Sequence, residues 1–336
     1  MRVLITGGAG FLGKKLTAAL LREGALALDG GASEPIERIT LFDAVPADGL
    51  PIDDRVEMVT GNVTDRGALD RVTADVDLVW HLAAVVSAGA EADFDLGYRV
   101  NVDGTRLLLD AMRANSRHYR IVFTSSLAVF GGEMPEVITD EFHATPRTSY
   151  GTHKAIGELL IADYSRKGFV DGRSVRLPTI VVRPGKPNKA ASTFASSIIR
   201  DSLAGKEVVC PVPPDAAIYI LSPRQVTKAL LRAMRLPAHS WPVSRTLLLP
   251  GITVTVRDMV DALATAAGKD VADRIRWEPD LGIRRIVDGW PVRAHARNAR
   301  SLGFTDDGSF DEILRAHIED ELGGMIPGGA AGRTLI

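Results

Sequence analysis

The sequence predicts an α/β protein: a doubly wound parallel sheet with a smaller C-terminal α/β substrate domain. Three observations predict it. Apolar runs of strand length alternate with amphipathic stretches of helix length from residue 3 to residue 182, the pattern of strand–helix–strand units and so of a parallel sheet covered on both faces. A glycine-rich turn joins the first strand to the first helix. Past Val182 the alternation yields to loops, Arg183-Pro184-Gly185-Lys186-Pro187-Asn188 and Pro211-Val212-Pro213-Pro214, with shorter helical patterns between and after them.

Taken in order, Val3 to Thr6 reads as a short buried strand, and Gly13 to Glu23 as a helix through Leu16, Leu20 and Leu21. Gly24 to Pro35 reads as a loop insertion. Strands follow at Arg38 to Phe42 and Val56 to Thr60, a brief helix at Ala68 to Thr73, and a fourth strand at Val76 to Leu82. Phe94 to Asn115 carries one long helical pattern. A fifth strand spans Arg120 to Ser125, a long helix Tyr150 to Lys167, and a sixth strand Ser174 to Val182. Ser192 to Leu203 and Arg257 to Ala267 have helical spacing. These readings divide the chain into a nucleotide-binding domain over 1–184, a mostly substrate-binding domain over 185–322 and a Gly-rich flexible tail over 323–336.

Composition narrows the function. With 336 residues, 46% of them hydrophobic, the chain can bury one large core or two smaller ones. A net charge of −2 argues against nucleic acid as a partner. Cys210 has no second cysteine to pair with, which fits a reducing, cytoplasmic setting, and its Val-Val-Cys-Pro context suggests a buried thiol rather than a metal ligand. No apolar run is long enough for a membrane helix, and the N-terminus reads as strand and turn rather than as a signal peptide.

The turn Thr6-Gly7-Gly8-Ala9-Gly10-Phe11-Leu12-Gly13 places glycines at 7, 10 and 13. Glycine permits a tight turn and close approach of a pyrophosphate, and the following helix offers unpaired N–H groups and the positive end of its dipole. A dinucleotide site also needs an acid after the second strand to bind the ribose hydroxyls. Asp43 supplies it, thirty residues past Gly13, with the insertion accounting for the delay. No Arg or Lys follows in Ala44-Val45-Pro46 to accept a 2′-phosphate, so NAD is the expected cofactor rather than NADP.

In Ser149-Tyr150-Gly151-Thr152-His153-Lys154 a tyrosine precedes a lysine by four residues, one helical turn on the same face. A free phenol ionises near pH ~10, and a neighbouring cation lowers that value, so the pair can serve proton transfer near neutrality. Alone it is also an ordinary helix-face pair. His81 closes an apolar strand and reads as a core histidine; His153 faces away from Tyr150.

The glycine turn, Asp43, Ser125-Ser126 after the fifth strand and the Tyr150–Lys154 pair together make the chain resemble the extended short-chain dehydrogenase/reductase superfamily over nearly its whole length. The resemblance implies a Rossmann NAD domain and a Ser–Tyr–Lys catalytic set of Ser126, Tyr150 and Lys154, with Ser125 as a substitute for Ser126 or a cofactor contact. It implies cofactor contacts from Gly7, Gly10, Phe11, Leu12, Gly13 and Asp43, and from Asn62 and Val63 beside the adenine. Further contacts are implied at the turn Leu82-Ala83-Ala84, at Asn101 bracing the site, at Lys154 on the nicotinamide ribose and at Pro178 near the nicotinamide. It further implies a homodimer built on helices at about 98–114 and 150–167.

Most such enzymes act on nucleotide sugars, and two departures argue against that here. Leu127-Ala128 replaces the acid–base pair of a dehydratase, and Thr179 stands where the sugar-nucleotide enzymes keep an asparagine for the diphosphate. Arg183 and Lys186 instead offer positive charge on a loop at the sheet's C-terminal edge, where ligands bind such sheets. A guanidinium fork suits a carboxylate, although the two are equally read as a solvated loop pair. The stretches Ser125 to Gly132, Ser149 to Lys154, Asp163 to Arg173 and Arg176 to Ser192 resemble the dehydrogenases of four-carbon sugar acids, which implies oxidation of the C2 hydroxyl of D-erythronate. The alternatives are a nucleotide-sugar epimerase holding NAD tightly, and a non-catalytic NAD sensor; the intact Tyr–Lys pair argues against the sensor.

Overall fold

In the computed structural model, residues 1–115, 117–185 and 191–326 are described. The described residues form two compact units: one within 1–129, 144–177 and 227–249, the other within 130–143, 178–226 and 250–326.

The first unit is built on strands β1 (Arg2–Thr6), β2 (Arg38–Asp43), β3 (Val56–Thr60), β4 (Leu78–His81), β5 (Tyr119–Ser126), β6 (Val170–Leu177) and β7 (Thr246–Leu248). They form one seven-stranded sheet in the order β7-β6-β5-β4-β1-β2-β3, parallel throughout. The order reverses direction beside β1, which opens the crevice where doubly wound sheets bind nucleotides. Leu4, Val79, Ile121 and Phe123 are buried on the sheet, as parallel strands covered on both faces require. The helices that matter to the site are α1 (Phe11–Glu23), α2 (Gly104–Ala114) and α3 (Ser149–Arg166). Leu108, Leu109 and Met112 of α2 and Ile161 of α3 join the core under the sheet.

Four differences from the sequence expectations have local causes. Residues 24–35 hold a small hairpin, Ala25–Ala27 against Ser33–Pro35; Asp29 and Gly30 turn it with φ of 57° and 74°, the Asp-Gly signature of such turns. The long helix expected from Phe94 is broken: Phe94–Tyr98 is α-helical, Arg99–Asp103 is a π-helical turn, and α2 follows. The sixth strand begins at Val170 and ends at Leu177 because Pro178 has no N–H for the ladder; Thr179–Ile180 pairs instead with Ala217–Leu221 of the second unit.

The fourth concerns the expected boundary at 184/185. Residues 227–249 belong to the first unit and residues 130–143 and 178–184 to the second. Trp80 donates its indole N–H to the Leu230 carbonyl at 3.1 Å. The fully buried Arg173 guanidinium donates to the carbonyls of Ala233 at 2.5 Å and Met234 at 2.8 Å. These bonds hold the helix end that leads into β7. In the second unit, Ile138–Thr139 pairs with Ala294–His295. A three-stranded sheet of Thr179–Ile180, Ala217–Leu221 and Ile252–Thr255 is packed by helices Thr193–Leu203, Val256–Ala267 and Phe310–Leu322 through Ile198, Met259 and Ile313.

Candidate active site

At the crevice, Gly7 turns with φ of 72°. A Cβ on it would stand 2.7 Å from the Ala83 nitrogen and 2.8 Å from the Leu82 carbonyl carbon, so the turn after β4 lies directly against the glycine loop. Leu82 and Ala83 donate their N–H groups to the Thr6 carbonyl at 3.0 Å and hydroxyl at 3.4 Å. Gly13 is held as tightly, its hypothetical Cβ 2.6 Å from the Gly8 carbonyl oxygen and 2.7 Å from that of Gly7. Gly10 begins α1 with no side chain capping the first turn and no acid in it, leaving the N-terminal amides of Phe11, Leu12 and Gly13 to an anion. Asp43 ends β2 beside this loop, where its Oδ2 accepts from the Ala9 N–H at 3.0 Å. A loop that only glycine fits, an uncapped helix start and an adjoining carboxylate fit a dinucleotide. Because of the contacts at Gly7, Gly7→Ala is expected to lower stability by about 1–3 kcal/mol, the range for strained backbone and overpacking, read as a fall in the denaturation midpoint.

The other expected cofactor residues are placed unevenly. Asn62 is exposed and accepts from the Thr64 N–H at 3.0 Å within its own turn. Val63 is buried in the core, where it fills the space left by Gly104. Asn101 sits in the π-helical turn and clamps the loop after β4: its Oδ1 accepts from the Val85 N–H at 2.7 Å and its Nδ2 donates to the Val85 carbonyl at 3.0 Å. That amide group also lies 3.2 Å from His153 Nδ1.

Beyond the serine strand, Thr148 caps α3 by accepting the Gly151 N–H at 3.1 Å. The first turn of α3 then packs on the turn Leu127–Val129 that follows Ser126. Ser126 accepts from the Ala128 N–H at 3.1 Å. Tyr150 and Lys154 share the inner face of α3, with the Lys154 ammonium 5.6 Å from the Tyr150 ring centre and 4.7 Å from that of Phe123. Lys154 is only 3% exposed. Burial pushes its ammonium down to about 7, and the Glu158 carboxylate pulls it back up.

Ser125 does not share the setting of Ser126. Its hydroxyl donates to Glu158 Oε1 at 2.5 Å, so its proton is committed away from a reacting oxygen. Glu158 also accepts two bonds from the Arg176 guanidinium, at 2.9 and 2.7 Å. Neither Glu158 nor Arg176 was expected in the site. The available signal was spacing: Tyr150, Lys154 and Glu158 recur every fourth residue on one helical face.

His81 is fully buried between the hydroxyls of Thr6 at 2.6 Å and Thr105 at 2.9 Å, and burial drives its pKa down to about 3; it is the core histidine expected. His153 is buried edge-on against Tyr98, its ring centre 4.4 Å away, and its Nε2 has no hydrogen-bond partner among the described residues. Pro178 and Arg183 belong to the second unit. There Arg183 donates its backbone N–H to Ser196 and its guanidinium to Ser192, at 3.0 and 3.2 Å. Lys186 lies outside the described residues.

A doubly wound sheet with a glycine cradle at its switch point and a buried Tyr–Lys face beyond the serine strand defines an oxidoreductase-type nucleotide-binding protein. The chain belongs to the NAD dependent epimerase/dehydratase family, which matches residues 3–239. It is 51% identical to the D-erythronate dehydrogenase of Cupriavidus necator over 95% of this chain and 98% of that one. To the D-erythronate dehydrogenase of Haemophilus influenzae it is 43% identical over 96% and 100% of the two chains. Among solved structures, the nucleoside-diphosphate-sugar epimerase from Agrobacterium tumefaciens matches with a TM-score of 0.91 and 45% identity, covering 97% of this chain and 96% of that one.

Proposed function

We propose that this protein is an NAD-dependent dehydrogenase that oxidises the C2 hydroxyl of D-erythronate to 2-oxo-tetronate. The observation that carries the substrate is the 51% identity, over nearly the whole of both chains, to a D-erythronate dehydrogenase. NAD, when bound, supplies the hydride acceptor. The backbone of Gly7, Gly10, Phe11, Leu12 and Gly13 holds its diphosphate and Asp43 its ribose hydroxyls. Asn62 and Val63 adjoin the adenine, Leu82, Ala83 and Ala84 line the crevice, Asn101 fixes that lining through Val85, and Pro178 adjoins the nicotinamide. Lys154 binds the nicotinamide ribose and favours the Tyr150 phenolate. Tyr150 takes the substrate hydroxyl proton while Ser126 hydrogen-bonds the same oxygen. Arg183 and Lys186 hold the substrate carboxylate.

Supporting a homodimer through helices 98–114 and 150–167 is the apolar side chain of Leu159, 71% exposed on α3. A cytoplasmic setting is supported by the free, buried Cys210.

A second reading, a nucleotide-sugar epimerase, is favoured by the name of the structural relative at TM-score 0.91. The deciding experiment follows NADH formation from NAD with D-erythronate, L-threonate and UDP-sugars offered separately. NADH with D-erythronate supports the dehydrogenase; interconversion of a UDP-sugar with no net NADH overturns it. With D-erythronate as substrate, Arg183→Ala is expected to raise KM about 10- to 100-fold, the worth of one charge-assisted hydrogen bond, with a smaller change in kcat. An unchanged KM removes Arg183 from the substrate site.

A further inference from the structure

We propose that Glu158 is a positioning residue that sets the charge state of Lys154, and through it the proton-accepting power of Tyr150, with Arg176 as the opposing charge. The proposal rests on the reading of Tyr150 and Lys154 as the proton-transfer pair.

Three elements converge on this one carboxylate. Glu158 projects from α3 one turn beyond Lys154 and is 6% exposed. From β5 it receives the Ser125 hydroxyl at 2.5 Å, and from β6 the Arg176 guanidinium through both its oxygens. Ser125 and Arg176 are register partners across the two strands, so the sheet presents both donors side by side and the carboxylate is held in one orientation. Ser125 is in turn the neighbour of Ser126. The arrangement fixes the serine strand, the Tyr–Lys helix and the charge behind Lys154 in a single cluster.

Electrostatics give the cluster its effect. Lys154 is buried between the rings of Phe123 and Tyr150, where an ammonium is costly without a counter-charge. The groups acting on it are Tyr150, His153 and Glu158 from its own helix and His81 from β4, while Arg176 of β6 is paired with Glu158. Glu91, in the helix Ser87–Ala92, holds the Ser149 N–H at the start of α3 at 3.0 Å. His81 and His153 are both pushed towards their neutral forms by burial. Glu158 is therefore the anion that favours charged Lys154, and Arg176 partly cancels it. Glu158 also opposes a phenolate on Tyr150 directly. That field acts across two helical turns, about 12 Å along the axis, and is weaker than the one-turn coupling to Lys154. The net sign follows from the lysine: removing the carboxylate discharges Lys154, withdraws the cation from Tyr150 and raises the pH at which the phenol gives up its proton.

A mere structural ion pair would also weaken the protein when broken, so the test reads the pH profile. With NAD and D-erythronate, the acid limb of kcat/KM is compared for the wild type, Glu158→Gln, Glu158→Asp and Arg176→Gln. Glu158→Gln is expected to move the limb up by about one pH unit and to cut the rate near neutrality about tenfold. Glu158→Asp, which keeps the charge, stays near the wild type. Arg176→Gln moves the limb the other way, because the carboxylate then acts on Lys154 uncancelled. Loss of rate in Glu158→Gln with the limb unmoved would mean that the pair is only structural, and the proposal falls. Should Arg176→Gln fail to fold, the contrast of Gln with Asp at 158 decides alone. Retention of kcat by Tyr150→Phe would instead sink the underlying assignment of the proton-transfer pair.

Discussion

Tyr150→Phe is expected to lower kcat by about two to four orders of magnitude, the contribution of a positioned acid–base group, while leaving NAD affinity close to that of the wild type. The substitution removes one oxygen and keeps the ring. The ring is what Lys154 packs beside, at 5.6 Å, and the turn is capped by Thr148 and packed at Gly151 against Ala128. The helix therefore stays in place, and with it Lys154 and the glycine cradle, whose hydrogen bonds involve Thr6, Phe42 and Asp43. What is lost, on the role proposed for Tyr150, is the acceptor for the hydroxyl proton. Ser125 cannot substitute, since its own proton is committed to Glu158. Steady-state rates together with a direct NAD titration separate the two effects. A near-normal kcat, or a collapse of NAD affinity equal to the collapse of rate, would contradict the role given to Tyr150.

The sheet and the glycine turn at its first strand were legible because their signals are local. Strand periodicity, the glycines at 7, 10 and 13 and the acid after the second strand each act within a few residues, and the structure brings them to one crevice. The Tyr–Lys pair was legible for the same reason, being one helical turn long. Glu158 with Arg176 was not, because its meaning depends on a strand register that places Ser125 beside Arg176 across fifty residues of chain. The unit boundary was missed because it is set by long-range bonds from Trp80 and Arg173 to the segment before β7, and in the sequence Trp80 reads as an ordinary strand position and Arg173 as the residue before one. Val63 shows what the resemblance alone did not reveal: a residue carried over as a cofactor contact is also a core residue packed on Gly104.

Gly151→Ala is expected to damage stability and catalysis together. A Cβ at 151 would stand 2.0 Å from the Ala128 carbonyl oxygen, 2.8 Å from its carbon and 3.1 Å from the Thr148 hydroxyl. The first two obstacles are backbone and cannot swing aside, so either α3 or the turn Leu127–Val129 must move. Overpacking of this kind costs about 1–3 kcal/mol, and disturbing the Thr148 cap adds about 0.5–2 kcal/mol. The displaced parts carry Tyr150 on one side and follow Ser126 on the other, and a shift of about 1 Å in such a pair lowers rate on the order of a hundredfold. Gly168 is the control. Its φ of 73° strains any side chain, yet no heavy atom lies within 4 Å of its hypothetical Cβ. Gly168→Ala should thus cost about 1–2 kcal/mol and leave kcat unchanged. Denaturation midpoints and kcat measured on both variants give the comparison. If Gly151→Ala loses stability but keeps kcat, the contact at Ala128 supports the fold without setting the distance between Ser126 and Tyr150.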